Sequence, residues 1–371
     1  MHLADLHLDS RFAGSDPSKS AKKRSELRNV LTGAFDVAKT EGCDAVLISG
    51  DLFDSEYYTK DTLDFLRGAF ASMPDVRFFI APGNHDPYNS SSAYRLAAFP
   101  GNVTVFDSEN VTCVEIDELD LAVYGYAFTS SVYRNDPLEG FKRKDGKGFA
   151  VLCAHTELDA TVTPYAPITT ERLCSSGFDY AALGHVHDQS GIREQNGTVY
   201  AYSGCLAGRD HTENGEKGGI IVTLDKENGE NNVKAKFVRL CPWVWTTLSV
   251  NVSGASDEKT VTDLVEIRLK ELQSLSDANN IIKLRLTGEI KCDVNEENVK
   301  NSLSCYGVDE VRNETVSTCG FDELENDISL RGEFYRVLLS ELKSEDPERR
   351  RIARMALRYG LDALNGAETD V

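Results

Sequence analysis

The chain has 371 residues, enough for two domains and a tail, with 41 % hydrophobic and 27 % charged residues. Sixty acidic residues against 40 basic ones leave a formal charge of −20, which excludes a protein that holds nucleic acid by diffuse attraction alone. The nine cysteines are odd in number and never spaced CxxC, so they read as small buried hydrophobes in a reducing compartment.

In chain order, a helix is expected over about Ala21–Thr40, where Leu27, Val30, Leu31, Phe35 and Ala38 recur near a 3.6 period. Ala45–Ile48 reads as a buried strand, Thr59–Ser72 as a helix and Arg77–Ala81 as the next strand. From Thr112 onward strand candidates follow one another with few helices: Thr112–Ile116, Leu121–Tyr124, Phe149–Ala154, Tyr180–Leu183, Val199–Ser203, Gly219–Leu224 and Val233–Leu240. That run predicts mostly antiparallel pairing, within an α/β sandwich of two sheets flanked by helices.

Cys241-Pro242 breaks the pattern and sets a boundary between a 1–240 domain and a small α/β domain over 241–320. The 321–371 segment carries two amphipathic helices, with stripes Leu330, Phe334, Val337, Leu338 and Ile352, Met355, Tyr359, Ala363. No targeting region or apolar stretch approaching 18 residues is seen, so a cytoplasmic chain without membrane contact is expected.

Histidine usage carries the chemistry. Five of the seven histidines fall in short segments that also carry carboxylate, amide or glycine: Asp5-Leu6-His7, Gly83-Asn84-His85-Asp86, Ala154-His155 and Gly184-His185-Val186-His187; Gly50-Asp51-Leu52-Phe53-Asp54 adds two more carboxylates. Four of these segments directly follow a predicted strand, and strand ends of layered α/β folds converge on one rim. Imidazole, carboxylate and one amide oxygen suit Mn, Fe or Zn, without a thiolate set for structural zinc. DxH and HxH place two donors on one side of an extended chain, and one Asp can bridge two ions that clamp a phosphoryl oxygen. A single HxH or GNHD is weak; five segments in order point to hydrolysis of a phosphate ester.

These segments resemble the calcineurin-like metallophosphoesterases, with their DxH, GDxxD, GNH(D/E), H and GHxH pattern. The opening His2-Leu3-Ala4-Asp5-Leu6-His7-Leu8-Asp9-Ser10, and Tyr202 to Arg209 followed by Gly215-Glu216-Lys217-Gly218, are most similar to the SbcD-type DNA repair exonucleases. The resemblance implies that Asp5, His7, Asp51 and His187 hold a first ion. It implies a second on Asp51, Asn84, His155 and His185, with manganese the expected metal. His85 would serve the leaving group with Asp86 orienting its imidazole, and Asp54, where related enzymes have a catalytic His, would stand behind the ligands. His2 reads as structural. The basic residues Lys22, Lys23, Arg24, Lys142, Arg143 and Lys144 flank predicted metal loops and could track DNA, as could Arg209. The family further implies a DNA-capping role for 241–320, an SbcC-like ABC-type ATPase partner for the terminal helices, and a homodimer. The expected activity is exonuclease, with endonuclease activity also in view, in DNA repair and recombination. The alternatives are a small-molecule or cyclic-nucleotide phosphodiesterase, which would share all five segments, and an inert DNA- or partner-binding scaffold.

Overall fold

A computed structural model describes residues 1–12, 17–143, 148–275, 279–317 and 324–364. They form two units, Met1–Pro242 and Trp243–Val371.

In the first unit, four short apolar strands pair in parallel: His2–Leu3, Ala45–Ile48, Arg77–Ile80 and Val103–Val105. The hairpin Gly218–Glu227 and Glu230–Arg239 extends this sheet antiparallel beside His2–Leu3. The second six-stranded sheet runs Arg193–Gln195, Thr198–Tyr202, Tyr180–Gly184, Phe149–His155, Leu121–Gly125 and Thr112–Ile116. Phe149–His155 shows why it lies in the middle. Its alternate residues Val151 and Cys153 join the core between the sheets with Phe79, Tyr180 and Ala182. Ala150, Leu152 and Ala154 join a separate core with Phe128, Leu173 and Phe178 on the other face. Burying apolar side chains on both faces, each worth about 1.5–3 kcal/mol, requires the continuous apolar run that the sequence shows.

The antiparallel expectation from Thr112 onward holds for the Gly218–Glu227 and Glu230–Arg239 hairpin and fails inside the second sheet. Three of the five pairings in the second sheet are parallel; only the edge pairs, Thr112–Ile116 with Leu121–Gly125 and Arg193–Gln195 with Thr198–Tyr202, are antiparallel. Parallel pairing needs a crossover of a dozen residues or more, usually helical. Here the links are long and, among the described residues, mostly irregular, with Thr170–Ser175 a single short helix, so no helical periodicity announced them.

The predicted helices are present. The first runs Pro17–Thr40, beginning four residues before its expected start because proline suits a first helical turn. The second, Lys60–Ala71, is capped by the Thr59 side chain on Thr62 N and buries Thr62, Leu63, Leu66 and Phe70.

In the second unit, strands Trp243–Asn251, Asn279–Thr287 and Val308–Asn313 form a parallel three-stranded sheet. Helices Glu258–Leu275 and Glu296–Ser302 contribute Val261, Val265, Leu269 and Val299 to one core with Leu284 and Leu286. The terminal helices Leu330–Leu342 and Pro347–Leu364 pack on each other through Tyr335, Leu357, Phe334, Leu338 and Leu361. The two predicted stripes are therefore only partly the packed faces. Leu330 and Val337 of the first point outward, as do Ile352, Met355 and Tyr359 of the second. No described helix is long and apolar enough to cross a membrane.

Candidate metal centre

Parallel pairing sets strand ends side by side. Leu3 pairs with Ile48 and Ile48 with Ile80, so the segments that follow, bearing Asp5, Asp51 and Asn84, leave the first sheet along one edge. In the second sheet Leu183 pairs with Ala154 and Gly184 with His155, which brings His155, His185 and His187 to one edge. Ser49 Oγ joins the two edges by donating to the Ala182 carbonyl at 2.9 Å. The first two loops remain zipped beyond their strands, with Asp5 N to Gly50 O at 3.1 Å and His7 N to Asp51 O at 2.9 Å.

The backbone is unusual where it carries candidate ligands. Asp5, His7, Asp51 and His185 all have positive φ, at 50°, 47°, 50° and 103°, a region costly for non-glycine residues and concentrated at functional sites. Gly50, at φ 90°, has no room for a side chain: a Cβ there would stand 2.0 Å from His155 Nδ1.

The side chains converge around Asp51. Its Oδ2 is 3.5 Å from His155 Nε2 and 3.8 Å from His7 Nε2, and its Oδ1 accepts His85 N at 3.0 Å. On one side His7 Nε2 and His187 Nε2 are 3.1 Å apart, grouped with Asp5. On the other, His155 Nε2 meets Asn84 Oδ1 at 2.9 Å, and the His185 ring lies against His155 with centroids 5.1 Å apart. Every sequence-predicted ligand is brought to this place, with Asp51 between the two groups.

Divalent cations fit this donor set. Asp5 and Asp51 are both buried, and burial together with the Asp51 charge pushes the Asp5 carboxyl well above the usual carboxylate range. Burial acts upward on Asp51 as well, but the nearby imidazoles of His155, His7 and His85 outweigh it and hold that group low. The His187 tautomer points the same way. Its Nδ1 faces Glu213 Oε1 at 2.8 Å, and a carboxylate only accepts, so Nδ1 carries the hydrogen and Nε2 presents a bare lone pair, 3.1 Å from His7 Nε2. His7 Nδ1 approaches Asp54 Oδ1 to 3.2 Å without a hydrogen bond.

His85 is exposed at the mouth, its ring 5.0 Å from that of His7. Its Nδ1 donates to the Asp54 carbonyl at 2.9 Å, leaving Nε2 open. Asp86 does not orient it, contrary to expectation. The Asp86 carboxylate turns inward and accepts Gly83 N at 2.8 Å, Phe53 N at 2.9 Å and Tyr94 Oη at 2.5 Å. Burial, with the Asp51 charge adding to it, raises this carboxyl to about 7. Asp86 thus pins two metal loops together, and adjacency in sequence concealed that.

The candidate DNA contacts divide. Arg143 donates to Gly148 O at 2.8 Å and pairs with Asp179 at 3.3 Å. Both partners precede strands whose far ends lead to the candidate metal ligands. Phe149–His155 has seven residues, and at about 3.3 Å per residue Lys142 and Arg143 belong to the opposite rim and do not flank the site. Lys144 lies outside the described residues. Lys22 pairs with Glu26 at 3.8 Å and Lys23 covers the Phe12 ring at 5.1 Å; Arg24, like them, lies in the early turns of Pro17–Thr40. Arg209 is engaged by Glu213 and Asp54. His2 is buried against the Tyr180 hydroxyl and Leu183 carbonyl, the structural place expected for it. Glu213 was missed; its signal was a carboxylate four residues after the singled-out Arg209.

Comparison with known proteins agrees with this geometry. A family model for calcineurin-like phosphoesterases matches residues 1–189, half of the chain, and the protein belongs to that family of metal-dependent phosphoesterases, whose members use a dimetal site. Among curated proteins it is 27 % identical over 284 residues to YhaO of Bacillus subtilis, named as an uncharacterized metallophosphoesterase, spanning 74 % of this chain and 68 % of that one. It is 23 % identical over 321 residues to the DNA double-strand break repair protein Mre11 of Thermoplasma acidophilum, spanning 82 % of this chain and 80 % of the relative. The protein of the same name from Aeropyrum pernix is 27 % identical over 224 residues, 56 % of this chain and 53 % of its own length.

Proposed function

We propose that the protein is a two-metal DNA nuclease of the SbcD type, acting in double-strand break repair. The observation that carries the reading is the placement of Asp51 between the Asp5–His7–His187 and Asn84–His155–His185 groups, with His85 open at the mouth. Asp5, His7, Asp51 and His187 would hold one ion and Asp51, Asn84, His155 and His185 the other, manganese being the metal proposed. The ions would supply charge stabilisation at a phosphodiester and a more acidic bound water. His85 would hand a proton from Nε2 to the leaving oxygen, its ring held by Nδ1 on the Asp54 carbonyl.

DNA as substrate is supported by the extent of the Mre11 match. The first unit is 242 of 371 residues, about 65 % of the chain, and the 82 % match therefore reaches into the second unit, which a phosphodiesterase for small esters would not require. The 241–320 domain, which lies almost wholly in the second unit, would cap DNA. The outward face of Ile352, Met355 and Tyr359 supports a partner-binding role for 321–371, an SbcC-like ATPase being the partner proposed; a homodimer and a cytoplasmic location belong to the same reading.

The test supplies purified protein with Mn²⁺ and, in parallel, labelled duplex, single strand, hairpin and a bis-aryl phosphodiester. Cleavage of DNA is expected. Turnover of the small ester alone would remove the nuclease reading in favour of a small-molecule phosphodiesterase.

A further inference from the structure

Two carboxylates beside the metal centre take no part in the chemistry above, yet both face imidazoles. Glu213 Oε1 lies 2.8 Å from His187 Nδ1, and Asp54 Oδ1 lies 3.2 Å from His7 Nδ1. Arg209 joins them. Its Nη2 and Nε donate to Glu213 Oε1 at 2.6 and 3.1 Å, its backbone N donates to Glu213 Oε2 at 2.7 Å, and its Nη1 donates to Asp54 Oδ1 at 2.8 Å. The Glu213 side chain is 6 % exposed, that of Arg209 19 % and that of Asp54 24 %. This is a built network rather than a surface pair, and a guanidinium fork held on two carboxylates fixes both in angle as well as distance.

Among the described residues the other half of the centre has no such yoke. His155 Nδ1 donates to the neutral carbonyl of Ser49 at 3.1 Å, and the carboxylate oxygen near it, Asp5 Oδ1 at 4.0 Å, belongs to the ligand set itself.

We propose that Glu213, yoked through Arg209 to Asp54, is a positioning residue that aims His187 at one of the two metal positions and strengthens that position alone. Arg209 is then a strut between loops, and its guanidinium is not the DNA contact that its sequence suggested. A carboxylate behind a ligating imidazole fixes its tautomer and raises its basicity, and removing one costs 10–100-fold in metal affinity. The inference rests on the dimetal reading and is independent of the substrate.

The experiment titrates metal-free full-length protein with Mn²⁺ by calorimetry and follows the manganese resonance spectrum, without substrate. Wild type is expected to bind two equivalents with a coupled two-ion spectrum. Glu213→Ala should weaken one equivalent 10–100-fold, leave the other unchanged and give the spectrum of a single ion. Glu213→Gln, which keeps shape and an accepting oxygen, should fall between them and guards against misfolding of the alanine variant. Arg209→Gln should weaken the same equivalent. Two equivalents at wild-type affinity in Glu213→Ala would overturn the inference and leave the dimetal reading standing. Parallel loss of both ions would overturn it too, by reducing Glu213 to general support of the fold. An Arg209→Gln variant with both ions intact and only a raised KM for DNA would make Arg209 a phosphate contact and break the yoke. Fewer than two equivalents in wild type would remove the dimetal reading and this inference together.

Discussion

The Asp51 carboxylate stands 3.5 Å from His155 Nε2, although the two residues come from different sheets. That contact requires the strand ends Ala45–Ile48 and Phe149–His155 to meet at one edge. Asp51→Asn keeps the shape and removes the charge shared by the two ligand groups. Turnover should fall by roughly 10³-fold or more, with loss of at least one metal equivalent by elemental analysis. Full activity in this variant would exclude Asp51 as the bridge.

His85→Ala tests the open imidazole. Both ions should remain bound, because His85 belongs to neither ligand group, while turnover drops by roughly 10²–10⁴-fold. Unchanged turnover with both ions in place would leave the leaving oxygen without a proton donor among these residues.

Gly50→Ala combines a left-handed backbone, φ 90°, with a Cβ 2.0 Å from His155 Nδ1. The ring or the loop must move. The expected result is destabilisation by about 1–3 kcal/mol in denaturant unfolding, together with weakened metal binding; retention of both ions at native affinity would show that the loop yields freely.

Tyr94→Phe removes the hydroxyl that donates to Asp86 Oδ2. A buried acceptor deprived of one partner costs about 1–3 kcal/mol, so unfolding should shift while metal content stays at the wild-type value. Loss of metal with unchanged stability would instead tie Asp86 directly to the ions.

His2 gives a prediction in pH. Burial lowers its imidazole from 6.5 to about 3, so the folded state holds it neutral while the unfolded state takes up a proton below pH 6.5. Its contribution to stability is fully present above 6.5 and falls away as pH drops from 6.5 towards 3. The cost of His2→Gln, measured by thermal unfolding of the metal-free protein, should therefore shrink over that window. A cost independent of pH would show that His2 is charged in the fold.

The candidate ligand set was legible in the amino-acid order because each segment is local: a strand, a turn, and donors one or two residues apart. What was not legible depends on strand polarity and side-chain direction. Lys142 and Arg143 precede the strand that ends at His155, and only the course of that strand shows that they belong to the far rim. Asp86 follows His85 directly, yet its side chain turns inward to Gly83, Phe53 and Tyr94. Glu213 reaches His187 across 26 positions, with no periodicity to announce it. The parallel pairs of the second sheet were hidden because their crossovers are, among the described residues, mostly irregular.

His7 and His187, whose Nε2 atoms meet at 3.1 Å, are separated by 180 residues. A growing chain has Asp5, His7 and Asp51 available early, but the site closes only when the strand Tyr180–Gly184 has docked beside Phe149–His155. Metal capture by these residues would be an inspection of finished folding: a first unit interrupted before His187, or with its sheets undocked, lacks a complete candidate centre. For a metal-dependent phosphoesterase, this topology ties the onset of activity to completion of the fold.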